Sequence, residues 1–182
     1  EIVGAGGAGV VVRATDKFLK QPVAVKVVMP AQGETCFRYE EEKRLRREAH
    51  AMKRVDHPSI VRVHESWMDR DKKMHLLVMD YVPGRSLHDV MQSSLGGGAC
   101  AFSQSKLNRL TEMLLGALCE MHSKNIIHLD IKPANIMLTE ERADGSWLVK
   151  LIDFGLAQAP SASAGRTRMD VTTMMTMSHM AA

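Results

Sequence analysis

Lys26 sets the terms for any fold of this chain, because it stands inside the apolar run Val23-Ala24-Val25-Lys26-Val27-Val28. The β-branched residues make that run a strand, and an ammonium on a buried strand is costly unless an anion meets it. Further on, from about Arg38 to Val55, the pattern turns helical, with Leu45, Ala49, Met52 and Val55 on one face. At about 100° per residue Glu48 falls between Met52 and Val55 on that face, while Glu40 to Glu42 precede the stripe and can be solvated. Two opposite charges, each on the buried side of its own element, invite pairing. The alternative, for these residues taken alone, is that Lys26 snorkels from a sheet edge and Glu48 belongs to a solvated charge run.

The rest of the first 80 residues reads as a small sheet around that helix. Val10-Val11-Val12 and the Lys26 run flank a polar turn at Asp16-Lys17, which predicts an antiparallel hairpin opened by glycines. His57-Pro58 stops the helix, since the residue before proline is pushed out of the helical region. Two strands follow, Ile60–Trp67 and Met74–Met79, joined by the charged turn Asp69-Arg70-Asp71-Lys72. Val82-Pro83-Gly84 makes a natural hinge. Beyond it come a short helix near Ser86–Gln92, the flexible Gly96-Gly97-Gly98 loop, and a long helix from about Ser105 to His122. In that helix Leu107, Leu110, Leu114, Leu118 and Met121 step by three and four, as a buried face requires. A polar loop (128–135), a hairpin turning at Asp144-Gly145 and a second loop at Asp153-Phe154-Gly155 complete the readable part. From Ala157 the chain becomes Ser, Ala, Thr and Met without a period, and 157–182 is expected to be a disordered low-complexity tail.

With 45% hydrophobic and 25% charged residues the chain has the balance of a globular protein. Its formal charge of +3 is mildly basic, and bases alternate with acids between Glu40 and Arg54, so nothing demands nucleic acid. No apolar run reaches the roughly 20 residues of a membrane helix. Cys36, Cys100 and Cys119 are odd in number and far apart, which indicates neither a disulfide framework nor a zinc site and fits a reducing, cytoplasmic setting. The start, Glu1-Ile2-Val3-Gly4, reads as internal to a longer chain.

The chemistry is concentrated in a few segments. Gly4-Ala5-Gly6-Gly7-Ala8-Gly9 matches G-x-G-x-x-G, a pattern shared by dinucleotide-binding folds and by strand-turn-strand phosphate loops. In the former a helix follows and an acid sits about 20 residues on; here valines follow, and Gln21–Met29 contains no acid. Alone, the motif is equally a glycine-rich hairpin with no ligand. In His128-Leu129-Asp130-Ile131-Lys132-Pro133-Ala134-Asn135 a carboxylate, an ammonium and an amide share one proline-stiffened loop. Asp130 can orient a hydroxyl and accept its proton, Lys132 can neutralise charge on a transferring group, and the Asn135 oxygen can ligate magnesium. Asp153 would add a second hard oxygen ligand, although an Asp before Gly is, taken singly, usually a turn residue.

In order along the chain, Gly4-x-Gly6-x-x-Gly9-x-Val11, Val23-Ala24-Val25-Lys26, Glu48, His128-x-Asp130 through Asn135, and Asp153-Phe154-Gly155 resemble the signature set of eukaryotic-type protein kinases. The likeness runs from Ile2 to about Leu156. It implies an α+β fold, with a small N-terminal sheet lobe carrying one helix (1–82) and the first part of a mainly helical lobe (83–156). It implies ATP and magnesium as cofactors, and transfer of the γ-phosphoryl group to a serine or threonine of a protein substrate. By that resemblance Met79 is the gatekeeper and the backbone of Asp80 to Val82 holds adenine. Val11, Ala24 and Met137 sandwich the base, and Met52, Val63, His128 and Phe154 stack as a regulatory spine. Lys132-Pro133 after Asp130 resembles serine/threonine kinases, since tyrosine kinases carry other residues there. Small-molecule kinases share a similar loop but fit Val-Ala-Val-Lys and Lys132 less well. A nucleotide-binding or scaffolding module without transfer is the alternative, set against the intact Lys26, Glu48, Asp130, Asn135 and Asp153. Losing Lys26 (Lys26→Met) or Asp130 (Asp130→Asn) is expected to abolish transfer with little loss of stability.

The chain departs from the family pattern in three places. Leu129 replaces the usual arginine, as in the Wee-type and myosin light-chain kinase-like groups, so activity should not depend on phosphates at Ser161, Ser163 or Thr167 acting through this position. Gly7-Ala8 stands at the loop tip, where an aromatic is common. No Ala-Pro-Glu closes the activation segment, and Ala159-Pro160 is followed by Ser161. The expectation is a kinase domain cut short before the helices that grip substrate, with Leu114 and Leu118 exposed as an apolar patch.

Overall fold

Alternation and turn chemistry account for the first half of the molecule. In the computed structural model, residues 1–6, 9–31, 33–95, 102–139 and 147–153 are described; Gly7-Ala8, Gly96–Gly98, Cys100, Asp144-Gly145, Phe154-Gly155 and the segment from Ala157 onward lie outside them. Strands β1 (Ile2–Gly6), β2 (Gly9–Thr15), β3 (Pro22–Val28), β4 (Val63–Asp69) and β5 (Met74–Asp80) form one antiparallel sheet in the order β1-β2-β3-β5-β4. The β2–β3 turn is set by the Asp16 carboxylate, which accepts the Phe18 and Leu19 N–H groups at 2.7 and 2.8 Å. Strand β1 is absent from the sequence reading, because a glycine-rich segment carries no side-chain alternation to betray it.

Helix α1 (Tyr39–Lys53) packs on β4 and buries Leu45, Glu48, Ala49, Ala51 and Met52. The Glu41 carboxylate accepts the Arg38 N–H at 2.9 Å, and acids in the first turn with bases in the last complement the helix dipole. After α1 the chain crosses to the second half. The Val61 N–H donates to Leu151 O and the Leu151 N–H to Ser59 O, both at 2.9 Å.

The second half holds α2 (Leu87–Leu95), α3 (Gln104–Ser123) and a three-stranded sheet, β6 (Gly84–Ser86), β7 (Ile136–Thr139) and β8 (Val149–Leu151). Strand β6 went unforeseen. Three residues carry no period, and their pairing exists only because β7 lies beside them. Gly84 makes it possible: at φ +136° a Cβ would sit 1.9 Å from Leu138 O. Helix α3 starts at Ser103, whose hydroxyl accepts the Lys106 N–H, and ends with Asn125 at φ 56°, which lets the Ile126 N–H reach Met121 O at 2.9 Å. Its inner face is Leu110, Ala117 and Met121; Leu114 and Leu118 are half-buried against the core, while Leu107 and Leu115 are exposed. Leu114 and Leu118, expected to be exposed, instead pack against the core. Met52, Ile60, Met121, Ile126 and Leu151 are the largest fully buried apolar side chains and run through both halves. No helix among the described residues is long and apolar enough to cross a membrane.

Candidate functional site

The register of β3 explains how Lys26 reaches a cleft. It stands opposite Val11 on β2 and Leu77 on β5, and shares a face with Ala24 two residues earlier. Its ammonium lies 2.9 Å from Glu48 Oε1 on α1 and 3.0 Å from Asp153 Oδ1 just after β8. The Lys26 and Glu48 side chains are buried, and Asp153 is a quarter exposed. Burial works against the charge on Lys26, but Glu48 and Asp153 outweigh it, so its pKa lies above the ordinary value. Burial and mutual charge thus hold three distant segments together through one nitrogen.

The 128–135 loop is built around Asp130. Lys132 Nζ lies 2.8 Å from Asp130 Oδ2. The Asn135 side-chain nitrogen donates to Asp130 O and to Asp130 Oδ2, each at 2.9 Å. The Asp130 N–H donates to Nδ1 of the buried His128 at 3.3 Å. Leu129 takes φ 64°, a left-handed turn that swings the backbone between these two residues. Partial burial raises the Asp130 carboxyl, yet Lys132 and Asn135 more than compensate and hold it below its usual range. His128 moves down, chiefly because burial disfavours its charged form. A single turn of 3₁₀-helix, Pro133–Asn135, fixes Asn135, whose carbonyl accepts the Ile152 N–H at 3.0 Å and so ties this loop to Asp153.

Between the two halves lies a cleft of about 700 Å³. Gly4, Gly9, Val11, Ala24, Lys26, Met79, Asp80, Val82, Met137, Asn135 and Asp153, all singled out in the sequence, line it. Glu48 stands behind Lys26, Gly6 pairs with Gly9 at the end of the β1–β2 ladder, and Asp130 and Lys132 sit beside the wall, joined to it through Asn135. At Gly9 the chain must pass tightly over β3: with φ +116°, a Cβ would lie 2.4 Å from Val27 O. Met52, Val63 and His128 are all buried, and Phe154 lies outside the described residues. Val61 and Ile152 also stand on the cleft wall, where no motif in the sequence points to them, and Tyr81 joins them from the hinge run. The Arg13 guanidinium stacks over the Tyr81 ring at 4.8 Å. The hinge is also pinned by His64, whose Nε2 lies 2.8 Å from Asp80 Oδ1.

A five-stranded antiparallel sheet facing a helical half across a lysine-centred cleft defines the class, and comparison with known proteins gives the family. The protein kinase domain family matches residues 1–181, and the chain belongs to it. That match passes Leu156, further than the motifs alone carry the likeness. Similar proteins include "Probable serine/threonine-protein kinase PknB" of Bifidobacterium longum, 34% identical over 172 residues, covering 90% of this chain and 23% of that protein. Calcium-dependent protein kinase 5 of Plasmodium berghei is 32% identical over 155 residues, covering 85% of this chain and 25% of that protein. Serine/threonine-protein kinase pkn3 of Myxococcus xanthus is 31% identical over 160 residues, covering 86% and 27%. The chain spans about a quarter of the length of these relatives.

Proposed function

We propose that this chain carries the nucleotide cleft and catalytic loop of a serine/threonine protein kinase, which transfers the γ-phosphoryl group of ATP to a protein hydroxyl. The observation that carries this reading is Lys26 held between Glu48 and Asp153 on the wall of the cleft. A buried ammonium fixed from two sides can meet phosphate oxygens without first being ordered. In this reading residues 1–82 cover the nucleotide and 83–156 supply the reacting groups. Gly4, Gly6 and Gly9 close over the phosphates, Asp80 and Val82 offer backbone groups to adenine, and Val11, Ala24, Met79 and Met137 enclose the base.

The donor set suits magnesium. Lys26 and Lys132 stand against Glu48, Asp130 and Asp153, two cations to three carboxylates, so a polyphosphate meets excess negative charge unless a divalent cation accompanies it. Asn135 uses its nitrogen on Asp130, leaving its amide oxygen as the ligand atom, and Asp153 supplies a carboxylate. Few protein oxygens completed by phosphates is the usual magnesium pattern. When bound, magnesium would neutralise charge on the phosphates.

Asp130, kept ionised by Lys132 and Asn135, accepts a hydrogen bond from the substrate hydroxyl and orients its oxygen. As that oxygen bonds to the γ-phosphorus, the bond from phosphorus to the β–γ bridging oxygen breaks, and the hydroxyl proton passes to Asp130. Lys132 faces the charge on the transferring group. Transfer of labelled phosphate from ATP to a mixture of serine and threonine peptides tests the proposal. Transfer that disappears in Asp130→Asn supports it; ATP binding without any transfer would reduce the chain to a nucleotide-binding module.

A further inference from the structure

Along the chain, residues 40–54 alternate bases with acids, but α1 sorts them in space. Glu40, Glu41 and Glu42 stay in the first turn, and Glu48, the one acid between residues 43 and 54, points inward to Lys26. What remains on the outer surface is cationic. At about 100° per residue, Lys43, Arg46, Arg47, His50, Lys53 and Arg54 fall within about a third of the circumference, opposite the buried Leu45, Ala49 and Met52. Arg46, Arg47, His50, Lys53 and Arg54 are exposed. Lys43 and Arg46 reach back to Glu40 and Glu42, whereas among the described residues Arg47 and Lys53 meet no carboxylate. Arg54 donates to Lys124 O at 3.0 Å, which brings the end of α3 beside the same surface.

We infer that this face of α1 docks an acidic polypeptide segment of a partner protein. Charge complementarity selects the occupant, and spacing refines it. The basic side chains form rows at Lys43, at Arg46 and Arg47, at His50, and at Lys53 and Arg54, about 4.5–6 Å apart along the axis. An extended peptide presents every second side chain to one side at about 6.6 Å, so acids at alternate positions meet successive rows. Apart from Tyr39 at its N-terminal end, the face carries no exposed apolar side chain to enter a bilayer. By the same rotation Tyr39 falls on this face too, exposed at its N-terminal end with Lys43 over its ring at 5.6 Å; one aromatic so placed offers no succession of platforms for stacked bases. The surface therefore lies on the outer side of the element whose inner side holds Lys26 through Glu48.

Fluorescence anisotropy with a labelled peptide of alternating Glu and Ser tests this, using the chain, the variant Arg47→Glu/Lys53→Glu and the neutral variant Arg47→Gln/Lys53→Gln. The peptide should bind the unmodified chain, lose affinity about tenfold in the charge-reversed variant and by less in the neutral one, and weaken as salt is raised. Thermal midpoints of the variants should stay unchanged. Absence of binding, equal binding by both variants, or tighter binding of a single-stranded oligonucleotide or of phosphatidylserine vesicles would overturn the inference.

Discussion

The Lys26 cluster and the Asp130 cluster each set an ammonium against carboxylate, two carboxylates in the first and one in the second, yet one cluster is buried and the other open. Lys26 and Glu48 are nearly closed to solvent, whereas Lys132 is about half exposed and Asp130 about a quarter. In the first, burial makes each charge depend on its partner; in the second, water can replace a lost partner. The buried cluster therefore belongs to both the fold and the site, and the open one to the site alone. By sequence alone, Lys26→Met and Asp130→Asn are expected to behave alike, each with little loss of stability. The geometry separates them.

Four outcomes would break or sharpen that contrast, beginning with the largest. Lys26→Met strands Glu48 on an apolar helix face, and breaking such a buried pair costs about 3–5 kcal/mol; urea unfolding should register it, and a loss under about 1 kcal/mol would mean the pair is solvated. For Asp130→Asn the cost falls on rate, with phosphoryl transfer down by roughly 10²–10⁴, while urea unfolding shifts by no more than about 1 kcal/mol.

Next in size is a backbone effect. Gly9→Ala puts a Cβ 2.4 Å from Val27 O at φ +116°, whereas the same change at Gly4 meets only Val11 Cβ at 3.8 Å. Gly9→Ala should cost about 1–3 kcal/mol and Gly4→Ala much less, as read by denaturant midpoints; equal costs would show that β1–β2 does not press on β3.

The smallest effect is acid softening. Burial lowers the pKa of both His75 and His128 below the ordinary 6.5. In that window the unfolded chain binds more protons, so stability is fully present above about pH 6.5 and is lost as pH falls toward the folded values. Thermal midpoints between about pH 7.5 and 5.5 should fall, and His75→Gln, next to Ser66 Oγ at 2.9 Å, should flatten the slope.

How far the sequence anticipates this molecule depends on whether a residue declares its own surroundings. Lys26 and Glu48 do, because each places a charge on an apolar face, and their pairing is legible before any coordinates. Asp153 does not: an acid before a glycine reads as a turn, and its contact with Lys26 spans 127 residues of chain. Helices α1 and α3 carry their period and are found to within a residue or two, while β1, all but hidden by glycine, and β6, three residues long, depend on neighbours. The cationic face of α1 is hidden for a related reason. Charge along the chain looks balanced until burial removes Glu48 from the surface.

The most direct test of the central claim, that these residues form a nucleotide cleft, is thermal unfolding with magnesium and ATP added together or singly, alongside Asp153→Asn. A ligand at a hundredfold excess over its Kd adds about 2.7 kcal/mol to the folded state. The unmodified chain should unfold at a higher temperature only when magnesium and ATP are both present, and Asp153→Asn should lose that rise. A midpoint that ignores magnesium and ATP would contradict the account.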